Sequence, residues 1–182
     1  MEAVERYLNS FGKQVVNRSK GNLQKAKGGG TNLENSISFK VIKTSTGFSL
    51  QFFMDSYGKF LDKGVSGNKI KRNYKDYKSK VISSPYTYTT KGPPVDILSK
   101  WIKKKGLKPK GIKRGRSKTT GQFISGLSYL ISRKIKRDGI KSLSFFQKPL
   151  GLGIKQFAPQ MLESIKEDIT NKLIATGKWQ QQ

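Results

Sequence analysis

The sequence predicts an α+β fold. A small antiparallel sheet is built on one clear hairpin at about residues 36–54, packed by an N-terminal helix and three later helices, with long basic loops. Three observations lead there. Between Thr31 and Phe53 apolar residues recur at every second position, the period of a half-buried strand. Elsewhere they recur every three or four positions, the period of a helix face. Only 34% of the 182 residues are hydrophobic, which suits one modest core with exposed arms. A chain of this length buries roughly 70% of its unfolded surface. One structural domain over 1–182 is expected, with a helix and Gly-rich linker over 1–30, an α+β body over 31–176 and a tail over 177–182.

The first helix is predicted from residue 2 to about 20, where Val4, Tyr7, Leu8, Phe11 and Val15 share a face. Glu2 and Glu5 lead it, while Lys13, Arg18 and Lys20 follow, as the helix dipole favours. Gly12 weakens its middle, and Lys20–Gly30 reads as a mobile linker with little to bury. Ile37, Phe39 and Val41 then alternate with Ser38, Lys40 and Ile42, and Thr44–Gly47 marks a turn. Phe48, Leu50 and Phe52 alternate with Ser49, Gln51 and Phe53, which makes a hairpin with one face presented to a core. This hairpin delivers the chain into Asp55–Gly67, the stretch around which the rest is organised. Tyr57, Phe60 and Leu61 share one face of a single helical turn there. Gly58, Gly64 and Gly67 punctuate it, and Gly64 is placed to end the turn through a positive φ.

Residues 66–92 are polar and Lys-rich, with short edge strands possible at Val81-Ile82 and Tyr86–Thr90. Tyr74, Tyr77, Tyr86 and Tyr88 are interleaved with cations, which permits a stacking platform for single-stranded nucleic acid. A long loop that orders against a neighbouring subunit is the favoured reading. Pro93 and Pro94 open the next helix and Gly106 closes it, with Leu98, Trp101 and Ile102 predicted inward. Lys103, Lys104 and Lys105 crowd its last turn. Lys108, Lys110, Lys113, Arg114, Arg116 and Lys118 follow as the densest charge run in the chain. Thr119 or Thr120 can cap a helix over about 122–138, with Phe123, Leu127, Leu130, Ile131 and Ile135 inward and Arg133, Lys134, Lys136 and Arg137 at its favourable end before Gly139. Phe145–Leu150 reads as an apolar anchor in a loop. The last helix is expected from about Ala158 to Ala175, with Pro159 in its first turn, Met161, Leu162, Ile165, Ile169 and Leu173 as its buried stripe, and Asp168 paired with Lys172.

The formal charge is +26, from 37 basic and 11 acidic residues. Such a chain repels itself and suits a polyanion, an acidic partner or a membrane surface. Only Arg6, Arg18, Arg72, Arg114, Arg116, Arg133 and Arg137 are arginine; the lysine excess favours sequence-blind phosphate contact over base reading. With no Cys and no His there is no thiol nucleophile, no zinc–thiolate site and no imidazole base. Asp55 with Asp62 is the one acid pair worth testing for a metal, and both suit cap and surface positions better. An enzyme, a cofactor and a small-molecule substrate are therefore not expected. No apolar run approaches the ~18 residues of a membrane span, and the first residues lack the apolar segment of a signal peptide.

The ordered set of pieces resembles a known group. It comprises the N-terminal helix, the Asn35-Ser-Ile37 strand start, Asp55–Gly67, Pro93-Pro94 before Trp101-Ile102, Arg133–Ile140, Phe145-Phe146 with Pro149-Leu150, and a closing amphipathic helix. Over roughly residues 1–175 this is similar to the neck or tail-completion (head–tail connector) proteins of tailed bacteriophages. That broad group includes lambda's minor tail protein Z, and the version here looks most like connector proteins of short-tailed, including crAss-like, phages. The lysine-rich 68–80 and 103–118 loops depart from the pattern. The resemblance implies a virion structural protein made in the host cytoplasm, with an α+β fold, assembled in a ring of about 6 or 12 copies between portal and tail. Its partners would be other copies, the portal and other neck or tail proteins. Lys103–Lys105 and the basic residues over 108–118 are then expected to face packaged DNA or an acidic neighbour. The alternative that charge alone allows is a sequence-independent nucleic-acid-binding protein of ribosomal type.

Overall fold

A computed structural model describes residues 2–27, 31–45, 47–104, 106–107, 114–116 and 123–179. The elements in order are α1 (Glu2–Lys27), α2 (Asn32–Ser36), β1 (Ser38–Thr44), β2 (Gly47–Phe53), α3 (Gly58–Lys63), β3 (Asn73–Lys75) and β4 (Val81–Ser83). They continue as α4 (Val95–Lys104), β5 (Arg114–Arg116), β6 (Phe123–Ser125), α5 (Gly126–Asp138) and α6 (Gln147–Trp179). The fold is α+β. Among the described residues the strands pair two by two, β1 with β2, β3 with β4 and β5 with β6. The chain divides into two compact units, one of residues 1–62, 75–81 and 143–182 and one of 63–74 and 82–142. Each combines segments far apart in sequence, so no composition shift marks a boundary.

In the first unit the antiparallel register sets Phe39 opposite Phe52 and Val41 opposite Leu50, as the alternation requires. Phe11, Val15, Val16 and Leu23 of α1, Leu33 of α2, Ile37, Phe145 and Phe146 form the core. Phe52 meets Phe146 edge-on at 5.4 Å. The helix does not stop near Lys20. It runs to Lys27 because Leu23 continues the apolar face and is fully buried, so the predicted linker over 20–27 is helical; residues 28–30 lie outside the described residues. Gly12 is no defect, since a Cβ there would sit 2.4 Å from the Phe39 ring. Its absence lets the hairpin approach α1.

The last helix begins eleven residues earlier than expected, at Gln147, so Gln147–Leu150 is helix rather than loop. Pro159 lies inside it, where the lost amide costs about 3 kcal/mol in an isolated helix. Packing along α1 offsets this. Phe11 meets Phe157 at 5.1 Å, and Gly153 lets Phe11 come closer than any side chain would permit. The stripe expected to be buried is not: Leu162, Ile169 and Leu173 are exposed, Leu173 at 67%. Asp168 is the buried residue of this stretch. Its carboxylate accepts from Ala3 N and Val4 N at 3.0 Å each, capping α1.

Asp62 is likewise not a surface residue. It is 3% exposed, and its carboxylate accepts from Phe146 N at 2.9 Å and Gln147 N at 3.4 Å, capping the start of α6. Its backbone carbonyl accepts from Ser144 N at 3.0 Å. Within α3 the aromatic face is inverted relative to expectation. Tyr57 and Phe60 are exposed, Leu61 packs at the core edge, and Gly58 is buried because Leu33 and Met54 lie where its Cβ would be. The turn of the β3–β4 hairpin also belongs to this unit, with Lys80 N donating to Asp76 Oδ1 and Tyr77 N to Gln147 Oε1.

Two capping carboxylates give two tests. Replacing Asp62 with alanine should cost about 1–2 kcal/mol of stability, measured by urea unfolding. Burial, the largest single effect, pushes the Asp168 carboxyl up, but the Val4 and Ala3 amides together with the N-terminal charge hold it below the ordinary aspartate value. A folded-state value below the unfolded one means that Asp168 contributes fully above the ordinary value. The contribution is lost as pH falls through the depressed one. Asp168→Asn should therefore be less stable than the parent at neutral pH, and the gap should close in acid.

Candidate polyanion interface

Charge is divided unequally. Twenty of the 37 basic residues, but only Asp96 and Asp138 of the eleven acids, fall in the second unit. Its backbone is organised by residues 64–70 against the end of α5. Val65 and Ile140 exchange hydrogen bonds at 2.9 and 2.7 Å. Asn68 N donates to Lys136 O and Lys69 N to Arg137 O, so loop amides satisfy the carbonyls that a helix end leaves open. Arg72 Nε adds a bond to Asp138 O at 2.8 Å.

Glycines make this approach possible. Gly139 ends α5 at φ 71°, and a Cβ on it would lie 2.1 Å from Val65 O. A Cβ on Gly67 would lie 2.2 Å from Arg137 O. Gly64 has φ 74°, as expected of the residue that ends α3, and Ile140 O lies 2.8 Å from where its Cβ would be. Thus the Asp55–Gly67 stretch owes its glycines to a distant partner as much as to its own turn.

The lock sets Lys69 beside Arg133, Lys134, Lys136 and Arg137 around an open groove of about 860 Å³, with Tyr129, Leu130 and Ser132 also lining it. Tyr129 is 53% exposed, and the Arg133 guanidinium lies 5.9 Å from its ring centre. Arg137 is paired with Asp138 through Nε at 2.6 Å and Nη2 at 3.0 Å. Those hydrogen bonds hold the Asp138 carboxyl below its usual range against the opposing effect of burial, and the same pair raises Arg137. Arg137 is therefore partly neutralised, and Lys69, Arg133, Lys134 and Lys136 supply most of the groove's positive field. A concave, cation-rich surface with one exposed ring suits phosphates and a stacked base. Among the described residues no group of three or more acids could hold a metal, and no helix is long and apolar enough to cross a membrane.

None of the predicted contact residues that lie among the described residues lines this groove. Lys103 and Lys104 are exposed on the last turn of α4. Arg114 and Arg116 lie on β5, in register with Ser125 and Phe123. Lys105, Lys108, Lys110, Lys113 and Lys118 lie outside the described residues, as do Thr119 and Thr120, and the helix expected from 122 begins at Gly126. Trp101, predicted inward, is 45% exposed while Ile102 is buried. On α5, Leu130 is exposed, and Ser128 and Ser132 are the buried pair instead. Ser128 meets Ser99 at 3.0 Å, and Ser132 Oγ donates to Pro93 O at 2.7 Å. Small hydroxyl residues bring α4 and α5 together, so the larger side chains turn outward. Pro94 O accepts from Leu98 N in the first turn of α4. Of the interleaved tyrosines, Tyr77 belongs to the first unit; in the second, Tyr74 stacks under Lys63 and burial pushes the Tyr88 phenol up. Val81–Ser83 is the strand β4, while 86–90 contributes only a bridge from Thr87 to Ser66.

The signal that could have found the groove was the Tyr129–Arg133 spacing, one helical turn, beside Lys134, Lys136 and Arg137. Gly139→Ala should cost about 2 kcal/mol or more and speed amide exchange at Asn68 and Lys69, because it meets both strain and a carbonyl. Gly106→Ala, with φ 64° but open space at its Cβ, should cost only about 1 kcal/mol. No family model matches the chain, and no curated protein or solved structure is significantly similar to it.

Proposed function

We propose that this chain is a virion structural protein of a tailed phage, a ring-forming neck or tail-completion component that joins portal to tail. Its basic surface faces DNA or acidic neighbours. The observation that carries the reading is that two pieces of the resemblance, Asp55–Gly67 and Arg133–Ile140, are one physical device. Val65 pairs with Ile140 and Gly67 fits against Arg137 O, so the two pieces pack together.

The groove framed by that device holds cations and a ring. A role that is not catalytic fits a chain with neither His nor Cys. A second reading, sequence-independent nucleic-acid binding of ribosomal type, is favoured by the Tyr129–Arg133 pair beside the other groove cations.

Heads assembled without the chain should fail to join tails and to retain DNA, and the purified chain should restore both. Heads that mature and infect equally well without it would overturn the proposal. For the groove, replacing Arg133, Lys134 and Lys136 together with glutamine should weaken single-stranded DNA binding. It should also lower the slope of log affinity against log salt by about 2. An unchanged slope would remove the groove from the contact. Tight binding by isolated monomers, with normal tail joining in its absence, would favour the second reading.

A further inference from the structure

We infer that copies of this chain join head to tail through their first units. The exposed face of the second half of α6 on one copy enters an apolar groove on the next. This rests on the ring-forming reading only for closure into a ring; the contact itself follows from two surfaces of the chain.

The groove has a volume of about 440 Å³ and lies between α1, the β1–β2 turn and α6. Leu8, Phe48, Leu50, Phe157 and Met161 are among its walls, and no charged side chain lines it. The complementary surface is the face of α6 formed by Leu162, Ile169 and Leu173. These residues stand at i, i+7 and i+11 and so project on one side of a 3.6-residue helix. All three are more than half exposed. An apolar helix face laid into an apolar groove is a recurrent recognition mode with this anchor spacing.

The occupant is a second copy for two reasons. First, α6 is continuous, and Leu173 lies about 18 Å along it from Met161 at ~1.5 Å per residue, so the helix cannot fold back into a groove that it helps to form. Second, copies carrying +26 repel one another wherever their cations face. The groove is uncharged, and residues 156–175 carry three acids against two lysines. These are the surfaces on which like-charged copies can approach, whereas an acidic partner of another kind would be drawn to the basic groove of the second unit. Because one patch meets a different patch, the contact is heterologous; repeated, it closes into a ring or continues as a filament.

The test uses the full chain in sedimentation velocity over a roughly hundredfold concentration range, at salt high enough to screen surface charge. The parent should assemble as concentration rises. A stripe variant, Ile169→Gln with Leu173→Gln, and a groove variant, Phe48→Gln, should each lose self-association by about tenfold or more while keeping the parent's circular dichroism. Met161→Gln replaces the groove variant if Phe48→Gln does not fold. Mixed in equal amounts, the two variants should form a one-to-one dimer and nothing larger, since one intact stripe and one intact groove remain. A monomeric parent, variants that assemble like the parent, or a mixture that stays monomeric would each overturn the inference. The outcome separates from that of the neck reading. A chain that joins heads to tails yet never self-associates this way sinks only the contact, and one that self-associates but joins nothing sinks only the neck reading.

Discussion

The first unit depends on two buried carboxylates that hold the starts of helices remote from them in sequence. Asp62, in α3, accepts the amides at the head of α6, and Asp168, in α6, accepts those at the head of α1. A helix N-terminus offers unpaired amides and a partial positive charge, so a carboxylate is the natural partner. The sequence of caps, α3 to α6 to α1, fixes the antiparallel α1–α6 pair along its length. Asp168 lies at one end of the pair, the Phe11–Phe157 contact in the middle, and a bond from Asn22 Nδ2 to Phe145 O towards the other end. A slip of one turn, about 5.4 Å, would strand a charge away from its donors, a penalty that apolar packing alone does not impose. Phe145 and Phe146 then fill the space beside the hairpin, and Gly12 and Gly153 set how closely the layers approach.

The second unit is held by a different means. Its buried residues include Val65, Ile102, Ser66, Ser128 and Ser132, a small interior with few large side chains. Cohesion comes from backbone pairing between 64–70 and 136–140, from glycines that permit it, and from hydroxyls between α4 and α5. With small residues at the contact, Ile97, Trp101, Tyr129 and Leu130 are left facing outward. The basic groove is a consequence of this packing. The residues that would otherwise fill an interior frame a surface, and the helix end that loop amides must satisfy is also the end where cations gather.

Much of this was legible in the sequence wherever period and local chemistry decide the outcome. The hairpin, its face and its turn follow from the alternation over Ile37–Val41 and Phe48–Phe52 with the polar turn between them, and Gly64 and Gly139 from their places after helical segments. What was not legible depends on partners far away in the chain. Nothing near Leu23 says that the helix should outlast the glycines flanking it, because the reason is the core formed with Leu33 and Phe145. Asp62 and Asp168 look like surface acids until the amides 84 and 165 residues away are known. The serine face of α5 misleads a hydrophobic count, which assigns Leu130 to the inside. The α6 stripe has the right period for burial, but among the described residues of the unit no further element covers it. The groove cations were visible as helix-end charges, yet only the 64–70 loop makes them a site by adding Lys69 and a wall.

Sorting of charge links the two units. A net +26 spread evenly would oppose every contact between copies, yet the charge is not even: the second unit holds the larger share of cations and almost no acids. The first unit keeps nine of the eleven acids, two of them buried as helix caps, with Glu163 and Glu167 exposed on the second half of α6. Electrostatic repulsion falls with distance and is screened beyond about 8–10 Å at ordinary salt, so a near-neutral apolar surface opposes an approach between copies less than a cationic one does. If copies assemble as proposed, a polyanion that reaches the basic groove of more than one copy would gain by avidity what no single groove supplies. For a lysine-rich chain, whose ammonium groups favour individually weak and sequence-blind phosphate contacts, that multiplication would be the physical advantage of the proposed ring.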